Sequence, residues 1–169
     1  TEKYTIKCLE TAKKAPVTSG KRLLWMHTIP YWVHPLRDVL DYNEKVQVVG
    51  CDMCFEGLIK GDPTDPYRAM AQRIVYSAFN GPVQRRIDRG LEAARELKAD
   101  GVIYENMKFC EFWSYEKILA HHIFTNELGI PTCTIEKEYA LGAVGQLRTR
   151  FQAFIESLEI KQIQEASEI

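Results

Sequence analysis

Short apolar runs alternating with amphipathic helical stretches constrain this chain more than any other feature. Lys21 to Met26 (KRLLWM), Val46 to Cys51 (VQVVGC), Gly101 to Tyr104 and Thr132 to Glu136 are each four to six residues long and bounded by turn residues. Such runs suit strands buried on both faces, which need no polar alternation. Between them, Ile87, Leu91, Ala94 and Leu97 recur at helical spacing, as do Leu147, Phe151, Phe154 and Leu158. Strands separated by helices imply parallel pairing, because each parallel neighbour requires a crossover. The expected fold is a three-layer α/β domain of flavodoxin or Rossmann type. Its four parallel strands, numbered in chain order, take the order 2-1-3-4, with helices on both faces.

Turn and capping signals divide the rest. Residues 1 to 20 read as a lead-in helix and linker, with Tyr4, Cys8, Leu9 and Ala12 at helical spacing before Pro16 to Gly20. Leu36, Val39 and Leu40 resume a helical pattern after the first strand. Asp65-Pro66 predicts an N-cap followed by proline at the first helical position, opening a helix to about Phe79. A second helix covers about Val83 to Lys98, its arginines and glutamates away from the apolar stripe. Ser114 is the expected cap of a third, with Ile118, Leu119, Ile123 and Leu128 inward and Gly129 and Pro131 ending it. The tail after Ile160 is expected to fray.

Charge and composition remove several functions. Lys and Arg number 22 against 23 Asp and Glu, which leaves no basic footprint for nucleic acid or an anionic membrane. No apolar run reaches the ~20 residues that span a bilayer, and the first residues lack a signal-peptide core, so a cytoplasmic location is expected. Neither a G-x-x-x-x-G-K-[ST] loop nor a strand-linked G-x-G-x-x-G is present, so no nucleotide site is indicated.

In the expected strand order the ligand crevice opens between the first and third strands, at their carboxyl ends. The loops at His27 to Pro30 and Glu105 to Cys110 should then face each other across it. Cys110 follows the third strand just ahead of a helix start, where a positive helix end favours thiolate, the form that ligates metal. Against this stands the reading of a small buried hydrophobe. One cysteine cannot complete a metal centre, and no second ligand set of convincing spacing lies nearby. His27 and His34 flank the crevice, where an imidazole could act as acid or base, although loop histidines are common. Cys51 and Cys54 form a C-x-x-C that could be a redox pair, but thiols packed at a strand end are preferred. Adjacent His121 and His122 lie about 100° apart on a helix and cannot share a metal. Gln146, Arg148 and Arg150 open the last helix, where the macrodipole disfavours cations. Their charge calls for an acidic partner such as Glu136 or Glu138, another domain, or a phosphate-bearing ligand.

Several segments together are distinctive: DGVIYENMKFC, PTCTIEKEY and GAVGQLRTRFQAFIESL, with HTIPYW, VVGCDMCFEG, DPYRAMAQR and NGPVQRRI upstream. The chain from Lys21 onward resembles the C-terminal domain of the 2-hydroxyacyl-CoA dehydratase family, which includes ATP-dependent benzoyl-CoA reductases. Its marker is Glu136, Glu138-Tyr139, a short Gly loop, Gly145-Gln146, Thr149-Arg150, then Ala153-Phe154 with Glu156.

The resemblance implies that residues 21–169 form the C-terminal domain of a larger multidomain subunit. It also implies a [4Fe-4S] cluster held by three cysteines, with Cys110 at the position contributed by this domain and the others outside this chain. The implied reaction dehydrates an (R)-2-hydroxyacyl-CoA to a 2-enoyl-CoA through a ketyl radical, in anaerobic metabolism. The implied partners are a second homologous subunit and an ATP-dependent iron-sulfur activator that donates one electron. His27, Gln146, Arg148 and Arg150 are secondary candidates for substrate or interface contact. A benzoyl-CoA reductase-like subunit, or a non-catalytic scaffold with Glu111-Phe112-Trp113 as interface, are the competing readings; a thiol oxidoreductase using Cys51 and Cys54 ranks third. The 169 residues alone are expected to be inactive.

Overall fold

The computed structural model describes residues 2–14, 20–27, 37–40, 43–56, 61–137 and 144–167. Four strands, β1 (Lys21–Met26), β2 (Val46–Cys51), β3 (Gly101–Met107) and β4 (Thr132–Lys137), form one sheet of order β2-β1-β3-β4, every pair parallel. The helices are α1 (Glu2–Lys14), α2 (Arg37–Leu40), α3 (Asp52–Glu56), α4 (Pro66–Tyr76), α5 (Val83–Glu96), α6 (Glu111–Leu128) and α7 (Val144–Ser167). Strand order and parallel sense are those the alternation predicts.

The apolar strands divide their side chains between two cores because successive Cβ atoms point to opposite faces. Leu23, Trp25 and Ile103 pack with Val39 and Leu40 of α2 and with Leu147, Phe151, Phe154, Ile155 and Leu158 of α7. Leu24, Met26, Val102 and Tyr104 pack instead on Ile87, Leu91 and Ala94 of α5 and on Ala120 and Phe124 of α6. Helices therefore cover both faces. α5 comes closest at Gly90, where a Cβ would stand 2.8 Å from Met26 Cε and 3.0 Å from Phe124 Cζ. By contrast, α4 buries none of its residues, and α1 is exposed along its described length.

Several boundaries depart from the sequence pattern, each for a local reason. β3 runs three residues past Tyr104, because Glu105, Asn106 and Met107 pair with Ile135, Glu136 and Lys137 of β4. The expected Glu105–Cys110 loop shrinks to a turn in which the Cys110 amide donates to the Met107 carbonyl at 3.0 Å, with Phe109 left-handed at φ 68°. α4 stops at Tyr76 rather than Phe79, as Ser77 turns extended (ψ 133°). Its start follows expectation: the Asp65 carboxylate accepts from the Arg68 amide at 3.1 Å.

α6 begins before Ser114, with Cys110 at the N-cap. Its fully buried residues are Glu116, Ala120 and Phe124; of those expected inside, Ile123 and Leu128 pack half-buried against the core, while Ile118 and Leu119 are exposed. Gly129 ends it at φ 62°, as expected of a left-handed C-cap. α7 continues as helix past Ile160 to Ser167.

Candidate functional site at the carboxyl edge of the sheet

The carboxyl ends of β1, β2 and β3 meet at a buried charged cluster. β2 ends on Cys51, and the next residue, Asp52, opens α3 with only 2% of its surface exposed. One Asp52 carboxylate oxygen accepts from the His27 amide at 2.7 Å and the Met53 amide at 2.8 Å. The other oxygen meets Arg86 Nη2 at 2.9 Å. Arg86 projects from α5 and is itself 2% exposed. Its remaining nitrogens face Glu116 of α6, with Nε 3.2 Å from Oε1 and Nη1 3.3 Å from Oε2. One guanidinium thus serves two carboxylates. Arrangements of this kind are governed by the planar five-donor fork, which lysine lacks.

Aromatic rings close over the ions. The guanidinium carbon of Arg86 lies 3.3 Å from the Trp113 ring centroid and 4.5 Å from that of Phe79. The His27 ring abuts Trp113 edge-on at 3.9 Å between centroids. His27, the one described residue of the expected His27–Pro30 loop, therefore meets the first turn of α6 at Trp113, just past the expected Glu105–Cys110 segment. His27 is buried, with backbone φ 87°. Residues 28–36, and with them His34, lie outside the described residues.

Burial acts on the titratable groups here. It pushes Glu116 above the usual carboxylate range, against the lowering pull of Arg86. It also pushes up the Tyr104 hydroxyl, which lies beside Glu116. The Cys51 thiol is raised to about 12 by burial and by the Asp52 charge, and its Sγ donates to the His27 carbonyl at 3.1 Å. A thiol held protonated in this way is a poor nucleophile, so Cys51 is a packed strand-end residue and only Cys54 of the C-x-x-C is exposed.

Cys110 is half-buried at the N-cap of α6, with no capping hydrogen bond from its side chain. The Ser114 amide donates to the Cys110 carbonyl at 3.0 Å, closing the first turn. Ser114 Oγ, instead of capping, reaches Asn106 Oδ1 at 3.3 Å. The thiol is thus uncommitted, partly shielded, and at the sheet edge where open α/β folds hold ligands. Those are the properties an iron-sulfur ligand needs, so the residue fits a cluster position. Among the described residues no three His, Cys, Asp or Glu side chains converge on a metal position. Trp113, expected as exposed interface, is half-buried on Arg86, whereas Phe109, Phe112 and Tyr115 around it are exposed.

The remaining candidates lie apart from this cluster. Gln146 and Arg150 are exposed on α7, and Arg150 Nη1 donates to the Thr134 carbonyl at 3.4 Å. Arg148 is half-buried there, and Glu138 lies outside the described residues. His121 contacts Thr132 Oγ1, and His122 contacts Asn126 at 2.9 Å, so neither pairs with the other.

Sequence reasoning missed Asp52, Tyr104, Arg86 and Glu116. A signal for two of them was available: Arg86 stands four residues before Gly90 and seven before Ala93, on the buried stripe of α5. Glu116 likewise stands four before Ala120 and eight before Phe124. A charged residue in phase with a buried stripe requires a partner.

Comparison with known proteins is consistent with this architecture. Over 130 residues the chain is 30% identical to the (R)-phenyllactyl-CoA dehydratase beta subunit of Clostridium sporogenes, covering 73% of this chain and 34% of that protein. Over 96 residues it is 29% identical to the putative dehydratase subunit YjiM of Escherichia coli (strain K12), covering 56% of this chain and 25% of that protein. The matched part thus spans only about a quarter to a third of the length of these curated relatives. No helix among the described residues is long and apolar enough to cross a membrane. Residues 1–158 match the family described as 2-hydroxyglutaryl-CoA dehydratase, D-component, and the chain belongs to that family.

Proposed function

We propose that residues 21–169 form the C-terminal domain of a subunit that dehydrates an (R)-2-hydroxyacyl-CoA to the 2-enoyl-CoA, with Cys110 as this domain's ligand to a [4Fe-4S] cluster. The observation that carries the reading is the half-buried Cys110 thiol at the N-cap of α6, free of any capping bond, in a chain of a dehydratase family. The other cluster ligands belong to parts of the subunit beyond this chain. When bound, the cluster supplies a low-potential electron to the thioester carbonyl, after reduction by an ATP-dependent activator protein.

The chain's own contribution is placement and shielding. Cys110 offers its sulfur from the first turn of α6, and the exposed rings of Phe109 and Phe112 flank it in sequence where they can exclude water. The Arg86 cluster is held by its ion pairs to Asp52 and Glu116 and forms the base of the site. Gln146, Arg148 and Arg150, at the start of α7, are assigned to contact with the acyl-CoA or with a second homologous subunit. His27, edge-on to Trp113, keeps the β1 end closed against that site.

The test replaces Cys110 with Ala in the assembled enzyme and measures iron, acid-labile sulfide and dehydration. Loss of all three is expected, while full iron content and unchanged turnover would refute the ligand role. Product analysis with 2-hydroxyacyl and aromatic thioesters separates dehydration from ring reduction.

A further inference from the structure

We propose that Arg86 is a positioning residue for Cys110, locking the first turns of α6 to the carboxyl ends of β1 and β2 through Trp113 and Glu116. The importance of that placement for a cluster rests on the reading of Cys110 given above; the placement itself does not.

Three observations carry it. Cys110 is weakly fixed by its own surroundings: it follows an exposed turn, Lys108-Phe109, and its thiol makes no capping bond. Its position is therefore set by the helix it opens. That helix is pinned within its first two turns at Trp113, whose ring lies on the Arg86 guanidinium, and at Glu116, which receives Arg86 side-on. Arg86 is in turn anchored by Asp52, whose second oxygen takes the backbone amides of His27 and Met53. One buried side chain of α5 consequently joins β1, α3 and α6.

An apolar trio of similar volume would hold these elements together at least as firmly, since buried ion clusters are seldom the most stabilising choice. What the guanidinium adds is orientation. Its planar fork donates to Asp52 from one nitrogen and to Glu116 from another while its face takes one ring, so α6 can neither rotate nor slide without breaking several contacts together. Lysine could neutralise one carboxylate but could not bridge both and stack.

The test is site-resolved alkylation by iodoacetamide in the intact, reduced, metal-free subunit carrying this chain, with each cysteine followed by peptide mass spectrometry. Arg86→Lys is expected to raise the rate at Cys110 by roughly 5–30-fold, the opening expected from losing one or two kcal/mol of local restraint. The rate at Cys133, half-buried in β4 and away from Arg86, should not change. General loosening would raise Cys133 and Cys110 alike and would overturn the proposal, as would an unchanged rate at Cys110. Should Arg86→Lys fail to fold, Trp113→Phe keeps the ion cluster and trims the stacked ring, and the same selective rise, smaller in size, is expected.

Iron content after reconstitution then separates the two claims. A selective rise at Cys110 with wild-type iron upholds the positioning and removes the ligand role. Lowered iron with an unchanged Cys110 rate overturns the positioning alone.

Discussion

Arg86 lies with its guanidinium carbon 3.3 Å from the centroid of Trp113, its nitrogens within ion-pair distance of two carboxylates. Both ion pairs are nearly solvent-free, with side-chain exposures of 2% and 3% for Arg86 and Asp52 and 0% for Glu116. Little screening by water is available there, so the energetic consequence of breaking the cluster depends on which member is removed.

Arg86→Met should therefore destabilise the fold by about 3–5 kcal/mol, because it leaves Asp52 and Glu116 as buried, unpaired neighbours. Adding Glu116→Gln to that variant should recover about 1–2 kcal/mol, although Glu116→Gln alone is destabilising. Urea unfolding of the two single variants and the double gives the coupling. Additive effects would show that the three groups do not act as a unit.

Glu116 also gives the fold a defined pH dependence. Burial raises its folded-state pKa above the ordinary value of 4.5, so the folded chain holds more protons than the unfolded chain above that pH. Its contribution to stability is then fully present below about 4.5 and declines as pH rises through the folded pKa. The stability gap between wild type and Glu116→Gln should narrow from pH 4.5 upward. Thermal unfolding of both across pH 4.5–8 measures this, and a gap that widens with pH would contradict the assignment.

The two cysteines of the C-x-x-C should behave independently. Cys51 is raised to about 12 and tied to the His27 carbonyl, whereas Cys54 is exposed. Alkylation of the native protein at neutral pH should label Cys54 and spare Cys51, with both labelled after unfolding. Because the folded pKa exceeds the unfolded one, the contribution of Cys51 to stability is fully present at neutral pH. That advantage is lost only as pH rises through the alkaline range from 9 toward 12. A reversible Cys51–Cys54 disulfide under mild oxidation would revive a redox role.

The contrast between strands and site marks how far the sequence could be read. The LLWM part of β1 and the Val102 to Tyr104 run declare themselves because a strand buried on both faces must be apolar, whereas VQVVGC, a partly buried edge strand, is legible from its β-branched residues and turn boundaries. The α7 stripe, Leu147 to Leu158, is legible for the corresponding helical reason. The extension of β3 is not, since Glu105 and Asn106 look like loop and are kept in the strand by pairing with β4. The site divides similarly. Cys110 is legible from its place after a strand, but Arg86 and Glu116 follow the general rule that charges on helices face water, and only tertiary pairing makes them exceptions. On α6 the apolar residues Ile118 and Leu119 point the sequence pattern to one side of the buried stripe that carries Glu116, Ala120 and Phe124.

Phe109 offers a test of the turn that delivers Cys110. It sits at φ 68° with 90% of its surface exposed, so it pays the left-handed backbone penalty while packing on little. Its ring has Lys108 Nζ at 5.4 Å, a weak exposed contact. L-residues in this region are disfavoured by roughly 1–2 kcal/mol relative to glycine, and β-branched residues most of all, with asparagine between. Stability should therefore rank Phe109→Gly above Phe109→Asn and both above Phe109→Val, with about 1–2 kcal/mol from first to last. Glycine's larger unfolded-state entropy trims its lead by about 0.4–1 kcal/mol without reversing the order. Chemical denaturation of the three variants decides it, and a valine variant as stable as the glycine one would mean that the Met107–Cys110 turn is not left-handed at Phe109. Phe109→Gly should leave the alkylation rate of Cys110 unchanged, because its position is held from the helix side by Trp113 and Glu116.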